Sequence, residues 1–232
     1  MKTITPSLSV AGSLLFLAGS VILMGIITGE IFYPSGYSSA LNDISDLGGT
    51  RPPNSRVYEP SATIFNVTMI VAGLLIISGT WPVYRYFRKS LSSVFLGLFG
   101  VGVLGVGIFP GHVAIYHGLF SLLTFVAGGI AAIVSFQIVA APYRYIGLVY
   151  GVTALVFLFG ATYFIPTLGS GGTERWVAYP ILLWLIGLGA YLLGFREKNI
   201  LSRETNVSYP ESARPGRSRE RMDPPKELHP KL

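Results

Sequence analysis

The residues able to do chemistry concentrate between Asn42 and Asn66, in the run NDISDLGGTRPPNSRVYEPSATIFN. This run holds Asp43, Asp46, Arg51, Arg56 and Glu59, five of the few charges outside the C-terminal tail, and long apolar runs flank it. Asp43 and Asp46 are three apart and share one face of a short helix, with Arg51 and Arg56 following within reach. A carboxylate and a guanidinium so placed can orient a polar headgroup. Asn66, in the outer turns of the second apolar run, and His117, in those of the fourth, can join Asp46 and Arg51 in one polar pocket. Each is costly to place against lipid, and pairing them lowers that cost. The same contacts also describe a structural clasp that holds loop to helices, and the two readings separate only by mutation.

Other chemistries find less support. Asp43, Asp46, His112 and His117 are residue types that suit zinc. However, His112 and His117 are five apart, which is about 140° around a helix, so they do not form the i, i+4 pair of a zinc helix. No metal and no cofactor is expected. Nothing selects Ser45 with His117 as a nucleophilic pair, and no Gly-x-Ser-x-Gly elbow or phosphate loop is present. Gly100-x-Gly-x-x-Gly105 matches a dinucleotide fingerprint as a string, but it lies inside an apolar run, where helix packing accounts for it. The absence of Cys excludes disulfides and thiolate metal sites.

The elements that must position these residues follow from the spacing of charge. The chain has 232 residues, only 12% of them charged and 51% hydrophobic, with a mean hydropathy of +0.57. Charge at about half the usual share of roughly 25% indicates a polytopic membrane protein. The expected fold is all-α: a bundle of six transmembrane helices over residues 1–195, followed by a disordered basic tail over 196–232. The spans fall at about 8–29, 61–82, 91–109, 113–139, 146–165 and 176–195. The first is longer than the 7–15 residues of a signal-peptide core, so it is expected to remain as a span. Glu59 and Arg85 bracket 25 uncharged residues for the second. The 54 uncharged residues between Lys89 and Arg144 are right for two spans hinged at Pro110-Gly111. Pro166 to Arg175 reads as a short flexible loop.

Small residues form stripes on the spans, Ala11, Ala18, Gly25 and Gly29 among them, where neighbouring helices are expected to touch. The loop from Pro34 to Pro60 is the one long connection. Leu41, Ile44 and Leu47 fall three apart on one side of a short interfacial helix, capped by Ser38 or Ser39 and stopped by Gly48-Gly49. Such a loop is expected to be ordered and to cap the bundle.

Lys and Arg on the two sides of the spans, eight against three, place both termini in the cytoplasm and the long loop outside the cell membrane. The net charge of +6 does not imply nucleic acid, because nine of the 17 basic residues lie from Arg196 onward beside six acids. A solvated tail at an anionic membrane face explains it.

Ile44-Ser-Asp-Leu-Gly48, Pro52-Pro53-Asn54 and Ile64-Phe65-Asn66 resemble the prokaryotic six-span family catalogued as domain of unknown function 998. Phe109-Pro110-Gly111 with His117 resembles it too. The pattern is more distantly similar to the damage-regulated autophagy modulator and Frag-type membrane proteins, in which an acid usually stands where Asn54 stands here. The resemblance spans roughly residues 8–195. It implies a six-helix fold, and through the distant relatives a role in lipid handling or membrane trafficking. Non-catalytic binding of membrane lipid, or membrane organisation, through the polar outer-face site is therefore the expected function. The alternatives are a lipid hydrolase at the outer leaflet and a small-solute transporter.

Overall fold

The computed structural model describes residues 8–207. Among them are six α-helices and no strand: α1 Leu8–Phe32, α2 Ser61–Phe87, α3 Ser90–Ile108, α4 Ala114–Val134, α5 Tyr143–Phe159 and α6 Ala161–Val207. One compact unit ends at Glu197, and the bundle lies within it. Residues 208–232, most of the tail expected to be disordered, lie outside the described residues, as does Lys2.

Five of the helices have the length and composition to cross a membrane. The fifth span expected from the sequence, α5, has 17 residues. It is about 25 Å long at 1.5 Å per residue. Large apolar side chains such as Met24, Leu74, Val101, Leu119 and Val152 point outward. A bundle apolar on its outside as well as its inside is a membrane protein.

The helices close into a ring through their small residues. Gly25 of α1 faces Thr68 of α2, Gly73 of α2 faces Leu104 of α3, and Gly102 of α3 faces Thr124 of α4. Gly151 of α5 meets Gly129 of α4, Gly147 of α5 lies beside Trp184 of α6, and Gly189 of α6 lies against Phe16 of α1. Lipid tails give helices no hydrophobic reason to associate, so this close backbone approach is what makes dispersion strong enough to hold them. The fingerprint-like glycines take part: Gly100 packs on Ile76 and Gly105 on Phe120. Leu15, Ile76, Trp184, Leu185 and Leu188 fill the centre.

Two expectations are corrected. Pro166 to Arg175 is not a slack loop but part of α6, which breaks at Gly169 with φ 76°. Only glycine takes that conformation without strain. Thr173 Oγ1 donates to the Gly169 carbonyl at 2.7 Å and restarts the helix. Gly171 and Gly172 provide close approach rather than flexibility: Gly172 N–H donates to the Ala40 carbonyl at 3.1 Å. The second correction concerns the loop helix, which is a single 3-10 turn, Ile44–Leu47, with Asp43 at its N-cap and Gly48 at its C-cap. Ile44 and Leu47 are buried beneath it, but Leu41 precedes the turn and is 71% exposed. Ser38 does not cap the turn. Its backbone N–H donates to Asn42 Oδ1 at 2.9 Å. Residues Ser39 to Ile44 and Leu47 and Gly48 of the loop are hydrogen-bonded to the bundle, whereas residues 51–57 are exposed. Gly49, at φ 145°, carries the chain out of the turn.

A Cβ on Gly171 would lie 2.0 Å from the Asn42 carbonyl oxygen, whereas one on Gly118 would meet nothing within 4 Å. Gly171→Ala is expected to cost about 1–3 kcal/mol by overpacking. Gly118→Ala is expected to be neutral or to gain up to about 1 kcal/mol from helix propensity. Thermal melts of the two variants in detergent check this contrast.

Candidate functional site

The loop end of the bundle is organised by Arg175 of α6. Its guanidinium donates from Nη1 to the carbonyls of Ser39 (2.8 Å), Asn42 (3.0 Å) and Gly171 (3.0 Å). From Nη2 it donates to Glu30 Oε1 and to Tyr37 Oη, both at 2.7 Å. The side chain is 11% exposed, and Glu30 forms its ion pair from the last turns of α1. A fixed fork of donors suits this arrangement in a way that an ammonium does not. Tyr37 lies beneath the guanidinium, 5.7 Å from ring centroid to Cζ, and also packs on Tyr33. Burial raises the Tyr37 hydroxyl above its ordinary range, against the opposing pull of Arg175.

The residues next to Arg175 complete the attachment. Glu174 accepts the Ile44 backbone N–H, the first of the 3-10 turn. Ser170 Oγ donates to Asp43 Oδ1 at 2.7 Å and to the Leu41 carbonyl at 3.1 Å. The stretch of α6 from Ser170 to Arg175 therefore holds the loop from Ser39 to Ile44. Sequence reasoning read Arg175 as the end of a flexible loop and left both Glu174 and Arg175 out of the candidate site. The signal was present: an acid and a base beginning an apolar helix, preceded by glycines that admit a backbone. Reading those glycines as a flexible loop concealed it.

The candidates from the sequence fall into three groups. Asp43, Asp46 and Arg51 are joined within the loop. Asp43 pairs with the half-exposed Arg51 at 3.4 Å, and Asp46 Oδ2 accepts the Asp43 N–H at 3.1 Å and Asn42 Nδ2 at 3.4 Å. Asn66 of α2 donates from Nδ2 to the Gly48 carbonyl at 3.2 Å, and Ser61 Oγ donates to the Leu47 carbonyl at 3.3 Å, so α2 holds the far end of the turn. His117 is 1% exposed, and its ring nitrogens bind Phe109 O at 2.8 Å and Ser121 Oγ at 3.2 Å. A carbonyl can only accept, so Nδ1 carries the proton and, in the neutral ring, Nε2 accepts from Ser121. His117 thus closes the corner between α3 and α4. Arg56 and His112 are exposed. Arg56 contributes its backbone, paired with Thr50, and His112 lies beside Gly49. No group of three His, Asp or Glu side chains among the described residues is placed to hold a metal ion.

Beneath the 3-10 turn lies a cavity of about 80 Å³. Ile22 and Ile26 of α1, Phe65 of α2, Val103 of α3 and Ala178 and Ile181 of α6 line it, among other apolar side chains. Its polar groups are Glu174, Ser45, Ser121 and Thr124. None of the seven candidates from the sequence lies on its wall. Asp43, Asp46 and Arg51 belong to the cap above it, Asn66 holds that cap from α2, and His117 lies at the α3–α4 corner. A water needs about 10–15 Å³ by the same measure, so this space exceeds a single water.

Burial pushes the Asp46 carboxyl above its ordinary range, and the neighbouring Asp43 carboxylate adds to the push. Hydrogen bonds from Asn42 and the Asp43 N–H oppose it. A carboxyl whose folded-state pKa is raised favours folding most below its unfolded value, and that contribution is lost as pH rises through the folded value. Asp46→Asn keeps an acceptor for both donors and removes the titration. It is expected to melt no lower than the parent at about pH 7, with the difference closing toward about pH 4. Melting curves across that range measure it.

No curated protein and no solved structure matches the chain. A family model described as protein of unknown function (DUF998) matches residues 11–191. That match takes in all six helices of the bundle, the capping loop and both residues of the Glu174–Arg175 pair, and the chain belongs to the DUF998 family.

Proposed function

We propose that this is a multi-pass protein of the cell membrane that binds one amphiphile, of the kind a membrane lipid supplies, in the cavity under its cap, without chemical conversion. The observation that carries this reading is the cavity itself. Its walls are almost wholly apolar, and the Glu174 carboxyl is set into the roof. A cavity lined mainly by apolar side chains accepts apolar groups, while a few polar groups, here Glu174, Ser45, Ser121 and Thr124, fix orientation. The ligand class that fits is an alkyl chain with a hydrogen-bond-donating end. The cap of Asp43, Asp46, Arg51 and Asn66 serves as the clasp that keeps the roof closed, with its polar groups turned to one another. In this reading both termini are cytoplasmic, following the bias of Lys and Arg.

Glu174 also supports a second reading, proton-linked movement of a small solute, because an ionisable side chain on a cavity within a membrane bundle is typical of such pathways.

Two outcomes are expected. Native mass spectrometry of the purified protein should show one amphiphile per chain. Ala178→Leu, which fills the cavity from α6, should lose it while melting near the parent temperature. An empty parent, or full retention by Ala178→Leu, would overturn the binding reading. Proton leak into proteoliposomes that disappears in Glu174→Gln would favour the second reading instead. For topology, a cysteine at the exposed Ser55 should react with an impermeant maleimide added to intact cells. Protection of that cysteine would reverse the orientation.

A further inference from the structure

At the opposite end of the bundle, α2 and α3 meet in a turn that carries Arg85, Arg88 and Lys89, all exposed. Among the described residues no carboxylate pairs with any of them. Arg85 lies over the ring of Trp81, 5.7 Å from its centroid, and Trp81 is 6.0 Å from Tyr84. An aromatic pair beside a cluster of cations is the composition of a membrane interface. The first-turn N–H groups of α3 point at the same place, and no side chain caps them.

Below the turn, an open groove of about 560 Å³ runs between the two helices. Ile77 and Trp81 form one wall, Val94, Leu98 and Val101 the other. Gly97 leaves its floor low. A Cβ there would meet only Thr80 Cγ2, at 3.7 Å. Ser93 also lines the groove, one turn into α3. Its residue is 6% exposed, and Oγ has no hydrogen-bond partner. An unpaired buried hydroxyl is costly, and the buried hydroxyls of Ser92 and Ser135 find carbonyls, whereas those of Ser93 and Ser9 do not.

We infer that this groove holds an anionic phospholipid, with the phosphate at Arg85, Arg88, Lys89 and the start of α3, an ester carbonyl accepting from Ser93 Oγ, and an acyl chain lying over Gly97 toward Val101. The order of groups along the groove matches the order along a phospholipid: charge, then hydroxyls, of which Ser93 Oγ has no partner, then apolar wall. From Ser93 to Val101 the α3 wall rises about 12 Å, enough to lay a chain segment along it. Charge complementarity selects an anionic headgroup, because three cations share the turn. This site is separate from the cavity under the cap, which lies at the other end of the bundle.

The test uses the full chain, stripped of lipid in detergent and titrated with dioleoyl phosphatidylglycerol, dioleoyl phosphatidylcholine or glycerol 3-phosphate while its melting temperature is followed. Phosphatidylglycerol is expected to raise the melting temperature saturably, and the other two to have little effect. Arg85→Gln/Lys89→Gln, both exposed and harmless to the core, should weaken the phosphatidylglycerol response at least about tenfold. Gly97→Leu, which fills the groove without meeting backbone, should abolish that response and leave the amphiphile in the central cavity in place. Equal responses to the two lipids would overturn the selection by charge. A full response in Gly97→Leu would overturn the groove. A response to glycerol 3-phosphate as large as that to phosphatidylglycerol would make this a site for free phosphate esters and overturn the lipid.

Discussion

The Arg175 guanidinium is the interaction on which the loop end depends. A buried cation is tolerable only when its donors are used, and here the fork meets an acid, a phenol and three carbonyls. Those partners belong to α1, to the loop and to α6 itself, so a single side chain fixes the relation of all three. Glu174 and Ser170 hang from the same stretch of α6 and take the rest of the loop. The 3-10 turn is thereby held down with Ile44 and Leu47 beneath it, and the cavity gains its roof. If the fork let go, the loop carbonyls would lose their donor and the Glu30 carboxylate its cation, leaving the bonds from Ser170, Glu174, Ser61 and Asn66 to hold the loop.

This dependence explains why the glycines of α6 lie where they do. A guanidinium reaches carbonyls of a neighbouring loop only if the two backbones approach closely. Gly169 and Gly171 allow this, since a Cβ on either would lie 2.0 Å from a loop carbonyl oxygen. The same device recurs deeper in the bundle, where it joins helix to helix. Close approach in the ring of helices and in the cap is one solution to one constraint: in a lipid solvent, contact must come from packing and from polar pairs, because apolar burial alone does not distinguish protein from membrane.

The sequence made the first four helices legible because charges bracket them. Glu59 and Arg85 bound α2, and the long uncharged stretch after Lys89 admits only one division, at Pro110-Gly111. The α5–α6 boundary lacked such brackets. Pro166 and three glycines within seven residues imitate a loop, and only the partners of Gly171 and Arg175 reveal a helix. Those partners lie about 130 to 145 residues away along the chain, beyond the reach of any local pattern. In the cap, Asp43, Asp46 and Arg51 were legible as a cluster because they are close in sequence. The residues that attach the cluster to the bundle were not, for the same reason of distance. Leu41 misled because period-3 spacing was extended one turn too far: the 3-10 turn holds Ile44 and Leu47 alone.

The two ends of the bundle treat charge in opposite ways, and this divides their roles. At the loop end Glu30, Asp43, Asp46, Glu174 and Arg175 have partners within the protein, and an apolar cavity lies beneath them. At the other end Arg85, Arg88 and Lys89 face outward with no acid beside them, above a groove that is open. Paired charges in a low-dielectric setting confer rigidity and a fixed shape. Unpaired surface cations retain their field and attract an anion from outside. An end whose charges are tied within the protein and an end whose cations face outward thus belong to different contacts with the membrane, one shaped for what lies within the bundle and the other for what surrounds it.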